Sequence, residues 1–251
     1  MTDNKKPLVV VGGAIHPAAL ELLESEARVI VAEDLTEDGI IRLAQEAEAI
    51  LFRVKPPATW RLLSSCPKLK CVGRHGVGLD SVDLEAATRL GIPVVHAPGS
   101  NSDSVAEHAM MLMLAAVRKL VPIDRNTRAG EWHGEHVRGI TELKGATLGI
   151  IGVGNIGRRV AHIAQSFGMK VLGYDPYVPP DELERREVEP VRELAQLLAR
   201  ADIVTCHTPL TPEPRHLINL TRVAYASAPA EPFGEFGGLQ PWNTALDTEP
   251  V

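Results

Sequence analysis

The chain has 251 residues, 45% of them hydrophobic, which is enough for two modest domains with cores of their own. Its formal net charge of -6 argues against nucleic acid as the main partner. The longest uninterrupted apolar run, Ala109–Val117, falls far short of the roughly 20 residues a membrane span needs, so no membrane role is expected.

The segment before Leu8 runs straight into a strand-like stretch with no signal-peptide core, which leads to the expectation of a cytoplasmic protein. In the first hundred residues strands are predicted near Leu8–Val11, Arg28–Ala32, Ala49–Arg53, Leu69–Gly73 and Pro93–His96. Helical patterns fall between them, near Pro17–Glu24, Glu37–Glu46, Trp60–Ser65 and Leu84–Leu90. Strands alternating with helices predict a parallel sheet with crossover helices. Gly12-Gly13 reads as a turn, not a nucleotide fingerprint. Arg53 and Lys55 follow the third strand, where solvated charge is a commoner role than attraction of an anionic substrate. Cys66, Cys71 and Cys206 are odd in number and lie in or beside predicted strands, so they read as small buried hydrophobes in a reducing compartment.

Arg74-His75-Gly76-Val77-Gly78-Leu79-Asp80 follows a strand and precedes a helical run. Successive N–H groups in such a turn can form a nest for a carboxylate, and an ordinary glycine turn is the competing explanation. Asn101–Ser104 then reads as a helix start, with Ser104 and Glu107 as a capping box opening a helix from Val105 to about Leu120. That helix is apolar almost all round, so burial on several sides is expected, at a domain junction or a subunit interface. Residues 126–142 read as a polar loop. His133, Glu135 and His136 have no metal-site spacing, and no metal is expected.

The most informative stretch is Thr147–Gly157. An apolar β-type run ends in Gly152-Val153-Gly154-Asn155-Ile156-Gly157, and a helix-forming segment follows at once. Here Gly152 permits the strand-to-helix turn, Gly154 lets backbone approach a pyrophosphate, and Gly157 lets helix and strand pack closely. The helix N-terminus offers N–H groups to the phosphates. Asp175 lies at the carboxyl end of the next predicted strand, Lys170–Tyr174, where it can accept both ribose hydroxyls. No arginine follows it to bind a 2′-phosphate, so the site reads as one for NAD and not NADP. Further elements are predicted as strand 147–151, helix 156–167, helix 191–199 and strand 202–206. His207-Thr208-Pro209-Leu210 leaves the last of these at a sheet edge where ligands bind in open α/β folds, and a solvated turn is the alternative. Thr211-Pro212 looks like the cap of one more helix. From Thr221 composition changes: prolines and glycines are frequent, and neither a period of two nor one of 3.6 is present.

Taken in order, these motifs resemble the D-isomer-specific 2-hydroxyacid dehydrogenases, in particular the branch of phosphoglycerate dehydrogenase and its hydroxypyruvate- and glyoxylate-reducing relatives. The resemblance spans about residues 5–220. It implies two doubly wound parallel-sheet domains, a flavodoxin-like substrate domain over 1–100 and the first half of a Rossmann NAD domain over 101–220, with 221–251 as an atypical tail. It further implies hydride transfer between NAD(H) and a small 2-keto or 2-hydroxy acid, and a homodimer through helix 104–120. By the same resemblance Gly76, Val77 and Gly78 meet the substrate carboxylate and Asn155 and Ile156 lie on the pyrophosphate. Asp175 takes the ribose, and the His207, Thr208 and Pro209 backbone runs along the cofactor.

The family's arginine, glutamate and histidine, which clamp the substrate and move the proton, have no match in residues 221–251, so no catalytic residue is assigned. The expectation is a truncated or frame-disrupted member that binds the ADP part of NAD and turns over poorly. A non-catalytic NAD-binding or dimerisation module is the alternative. A methyltransferase is disfavoured, because its glycine motif differs and it leaves the 76–80 and 207–210 segments unexplained.

Overall fold

Runs of β-branched residues become strands, and the segments between them become crossovers, in the computed structural model, which describes residues 6–132 and 139–208. The chain divides into two units, Met1–Ser100 and Asn101–Val251.

The first unit runs β1 (Leu8–Gly12), α1 (Pro17–Glu26), β2 (Arg28–Val31), α2 (Glu37–Leu43), β3 (Ala49–Phe52), α3 (Trp60–Ser64), β4 (Cys71–Arg74), α4 (Leu84–Arg89) and β5 (Val94–Val95). Its five strands are all parallel, in the order β2-β1-β3-β4-β5, the flavodoxin-like arrangement. β1 is buried along its whole length because helices cover both faces of the sheet. Its side chains alternate: Leu8 and Val10 join the cluster of Ile50, Phe52 and Val72, while Val9 and Val11 pack with Ala27 on the other face. All four helices start at residues whose side chains cap them, His16 to the Ala18 N–H, Thr36 to Gly39, Thr59 to Leu62 and Asp83 to Ala86. Predicted and observed elements agree here to within a few residues at each end.

The second unit begins with α5 (Ser102–Val117) and α6 (Leu120–Arg128), followed by β6 (Thr147–Ile151), α7 (Gly157–Ser166), β7 (Lys170–Tyr174), α8 (Pro180–Glu184), β8 (Glu189–Pro190), α9 (Leu194–Arg200) and β9 (Ile203–Cys206). The sheet order is β8-β7-β6-β9, all parallel. Numbered within the unit this is 3-2-1-4, the first four places of the dinucleotide-binding order. β6 is the central strand. Leu148 and Ile150 point toward α5 and α7, while Ile151 points toward α9 with Leu172 and Leu197. Helix α7 turns Val160, Ala161 and Ala164 inward, one stripe of a 3.6-residue period.

Three expectations are corrected. Helix α5 starts at Ser102 rather than Val105, with Asn101 at the N-cap position and no side-chain cap bond, so Ser104 and Glu107 form no capping box. The helix ends at Val117, and Lys119 with φ 50° separates it from α6, which occupies part of the stretch read as loop. Within the chain Ala106, Met110, Met113 and Val117 of α5 face the core, while Met111 and Leu112 are 48% and 53% exposed. Cys66 is buried, whereas Cys206 is exposed. The short α8 and β8 escaped the sequence reading because two to five residues carry no measurable period. His133, Glu135, His136, Thr211-Pro212 and the 221–251 tail lie outside the described residues. Among the described residues no helix is long and apolar enough to cross a membrane.

Candidate functional site

β6 delivers the chain to Gly152, which turns it with φ +86°, a conformation nearly free of strain only for glycine. The exit of β9 also passes this point. A Cβ on Gly152 would stand 2.9 Å from the His207 carbonyl oxygen and 3.0 Å from Thr208 Cγ2. At Gly157 a Cβ would come within 2.1 Å of the Gly152 carbonyl oxygen, so α7 starts against the strand end at a separation that excludes any side chain. Gly154 is different: a Cβ there would meet nothing within 4 Å, because the loop borders open space.

Backbone bonding defines what that space faces. The Arg158 N–H donates to Gly154 O at 3.1 Å and the Arg159 N–H to Ile156 O at 2.9 Å. The N–H groups of Gly154, Asn155, Ile156 and Gly157 have no hydrogen-bond partner among the described residues. They are the orphan donors of a helix start, and with the positive dipole end they suit an anion. Beside them, Asp175 accepts from the Val153 N–H through Oδ2 at 2.8 Å and from the Tyr177 N–H through Oδ1 at 2.9 Å. A carboxylate has about four acceptor positions, so two remain for the adjacent hydroxyls of a ribose. Donors for a pyrophosphate and an acceptor for a ribose therefore stand at one end of the sheet. The residues fit a dinucleotide.

Three residues were expected along the cofactor at the exit of β9. The His207 N–H donates to Ile151 O at 2.8 Å, continuing the β6–β9 ladder, and its Nε2 lies 3.0 Å from Thr205 Oγ1. Burial pushes the His207 imidazole below its ordinary pKa, so the ring is neutral near neutral pH. Thr208 Oγ1 lies 3.4 Å from Cys206 Sγ. Pro209 lies outside the described residues.

In the first unit, β4 ends at Arg74 and the chain turns through Gly76, at φ +150°. The Gly76 N–H donates to Arg74 O at 2.8 Å, and its carbonyl accepts from the Ala97 N–H at 3.1 Å. The Val77 carbonyl lies 2.9 Å from His96 Nδ1. The Val77 and Gly78 N–H groups have no partner among the described residues, so two of the three expected carboxylate donors are available and the third is engaged in shaping the turn. The Arg74 guanidinium folds across this turn, with Nη1 donating to the His75 carbonyl. A positive charge thus stands next to two open donors.

Two arginines that the sequence reading passed over touch the glycine loop. Arg186 donates from Nη1 to Val153 O at 3.0 Å, and Arg159 donates from Nη1 to Asn155 O at 2.8 Å. The Arg159 contact follows the i, i+4 spacing of a helix and was in principle legible. The Arg186 contact joins residues 33 positions apart, and no local pattern encodes it.

The sequence profile of the D-isomer specific 2-hydroxyacid dehydrogenase NAD binding domain matches residues 110–228. A solved structure from Polaromonas, described as a putative D-isomer specific 2-hydroxyacid dehydrogenase, NAD-binding, superposes with a TM-score of 0.77 at 30% identity, covering 88% of this chain and 70% of its own. The chain belongs to the D-isomer specific 2-hydroxyacid dehydrogenase family. Its second unit carries the family's NAD-binding domain, and NAD is the cofactor of that domain. D-3-phosphoglycerate dehydrogenase of Methanocaldococcus jannaschii is 42% identical over 216 residues, which is 86% of this chain and 41% of that protein. The chain therefore spans well under half the length of that relative. The D-lactate dehydrogenase of Aquifex aeolicus, solved with NAD and lactic acid, has a TM-score of 0.75 at 29% identity, covering 87% of this chain and 65% of its own. The profile match runs to residue 228, past the point where the motif-based resemblance stopped.

Proposed function

We propose that this dehydrogenase-family chain serves hydride transfer between NAD(H) and a small 2-keto or 2-hydroxy acid. One observation carries the reading: four successive N–H groups without partners among the described residues, Gly154 to Gly157, adjoin a carboxylate, Asp175, that retains acceptor capacity. In this reading the loop from Gly152 through Gly154, Asn155, Ile156 and Gly157 binds the pyrophosphate, and Asp175 binds the ribose. The backbone of His207 and Thr208 lies along the cofactor. NAD, when bound, supplies or takes the hydride. The Val77 and Gly78 N–H groups hold the substrate carboxylate in a turn set by Gly76, and the Arg74 charge favours the anion. Phosphoglycerate and lactate, named for the relatives, are both 2-hydroxy carboxylates, which supports that substrate class.

A second reading is a non-catalytic NAD-binding or dimerisation module. It is favoured by the change of composition from Thr221, where neither a period of two nor one of 3.6 is present. Without a positioned proton donor the rate falls by about 10²–10⁴. In that second reading the chain binds NAD and turns over poorly.

The apolar exposed face of α5, with Met111 and Leu112, supports a homodimer through residues 104–120. The free thiols of Cys66, Cys71 and Cys206 support a reducing, cytoplasmic location.

Calorimetric titration with NADH and with ADP-ribose, followed by NADH oxidation with hydroxypyruvate, tests the proposal. Binding of both nucleotides is expected. Turnover at a rate usual for such enzymes would sink the module reading, and absence of nucleotide binding would sink both.

A further inference from the structure

Two guanidiniums hold carbonyls of the glycine loop. Arg186 Nη1 donates to Val153 O at 3.0 Å, and Arg159 Nη1 donates to Asn155 O at 2.8 Å. In a trans peptide the C=O and the N–H of the next residue lie in one plane and point in opposite directions. Holding the Val153 carbonyl therefore aims the Gly154 N–H away from Arg186. Holding the Asn155 carbonyl aims the Ile156 N–H away from Arg159. Both of these N–H groups are among the four without partners in the described residues.

Each arginine is anchored in turn. Arg186 grips Oε1 of Glu182 through Nε at 2.9 Å and Nη2 at 2.6 Å, a two-pronged hold on a single oxygen. Its own backbone carbonyl, and that of Glu187, accept from Gln165 Nε2 at 2.9 Å each. Arg159 pairs through Nε with Asp103 in the first turn of α5. The two guanidinium side chains are only 27% and 30% exposed, so solvent screens their charge less than on an open surface.

We propose that Arg186 and Arg159 form a brace that positions the phosphate-binding amides and adds positive charge behind them. The proposal rests on the reading of this loop as the pyrophosphate site of NAD. Neither residue touches the dinucleotide in this scheme. Both act through a peptide, by preventing the flip that would turn a carbonyl oxygen toward the phosphates, and by polarising the N–H at the far end of the same peptide. Lysine at 186 could reach one acceptor at a time, not carbonyl and carboxylate together, so it should replace arginine only in part.

The test uses the full chain with the variants R186M, R159M and R186K, titrated with NADH, ADP-ribose and adenosine. A lost charge-assisted bond implies that NADH and ADP-ribose bind about tenfold more weakly to R186M and to R159M, while adenosine, which lacks the pyrophosphate, stays within about twofold. R186K should fall between the wild type and R186M. R159M lies on a different element from Arg186, so it keeps the question open to experiment if R186M does not fold. Wild-type NADH affinity in both methionine variants overturns the brace and leaves the NAD reading standing. Equal weakening of adenosine and ADP-ribose also overturns it, since the loss would then be general. A wild-type chain that binds neither NADH nor ADP-ribose overturns the NAD reading and the brace with it.

Discussion

The Val153 N–H donates to Oδ2 of Asp175 at 2.8 Å, tying the turn after β6 to the carboxyl end of β7. The carboxylate holds the glycine loop against the neighbouring strand, and under the proposed function its remaining lone pairs accept from a ribose. Because the same side chain also accepts the Tyr177 N–H at 2.9 Å, both of its oxygens are oriented before any ligand arrives. Preorganisation of this kind lowers the ordering cost of binding.

Asp175→Ala removes a charged acceptor and releases the Val153 amide. Hydrogen bonds to charged groups contribute about 1.5–3 kcal/mol, so NADH affinity should fall roughly 10- to 100-fold. Calorimetry with NADH measures this directly, and unchanged affinity would refute the ribose role. Asp175→Asn keeps an acceptor but drops the charge, and should narrow the preference for NADH over NADPH.

Gly154→Ala and Gly157→Ala separate binding from folding. A Cβ at 157 would stand 2.1 Å from Gly152 O, so α7 must shift, and overpacking of this kind costs about 1–3 kcal/mol or more. A Cβ at 154 meets nothing within 4 Å, so urea unfolding of that variant should match wild type within about 0.5 kcal/mol. NADH affinity of Gly154→Ala should nevertheless drop, because the methyl group occupies space that the pyrophosphate needs. A stable Gly154→Ala chain with full NADH affinity would mean that the phosphates lie elsewhere.

Acid should weaken the fold through identifiable carboxylates. The Thr59 hydroxyl, and after it Arg61, hold the Glu37 carboxyl below the usual carboxylate range, and the Arg186 hydrogen bond does the same for Glu182. A group whose pKa is lower in the folded than in the unfolded chain stabilises the fold above the unfolded value, and that contribution is lost as pH falls through the folded one. Urea midpoints should decline as pH drops through and below the ordinary carboxylate range. Glu37→Gln should make that decline shallower. His207 follows the same sign, since burial lowers its pKa and the unfolded chain takes up the proton first. Replacing it with Asn should therefore reduce the loss of stability just below the ordinary imidazole range, and an unaltered profile would argue against a partly buried neutral ring.

The exposed face of α5 offers a test of self-association. Met110, Met111, Leu114, Leu120, Ile163 and Phe167 line a groove of about 470 Å³ on α5, α6 and α7. Met111→Asp places a charge on this apolar surface without touching the glycine loop. Light scattering should show a dimer for wild type and a monomer for the variant, with NADH affinity unchanged. A wild-type monomer at micromolar concentration would end the dimer proposal.

Much of the architecture was legible in the amino-acid order, for a physical reason. Leu148–Ile151 is an unbroken apolar run because its strand is covered on both faces, and Pro17–Glu26 and Gly157–Ser166 follow such strands at crossover distance. Gly152, Gly154 and Gly157 announced a nucleotide loop because backbone geometry there tolerates no other residue or leaves room for a ligand. Local patterns of this kind survive in a one-dimensional reading. They misled at Ser104, where a plausible capping box lies inside a helix that already began at Ser102.

The sequence by itself determined two parallel-sheet α/β units, a glycine loop for a dinucleotide, and the acidic residue eligible for its ribose. Tertiary structure alone decided that Asp175 also holds the Val153 amide, that the His207 carbonyl closes over Gly152, and that Arg186 and Arg159 grip the loop from behind. Periodicity and glycine spacing record constraints on a strand or a turn. The Arg186–Val153 and Val153–Asp175 bonds join residues 33 and 22 positions apart, so they exist only once β6, β7 and α8 have packed.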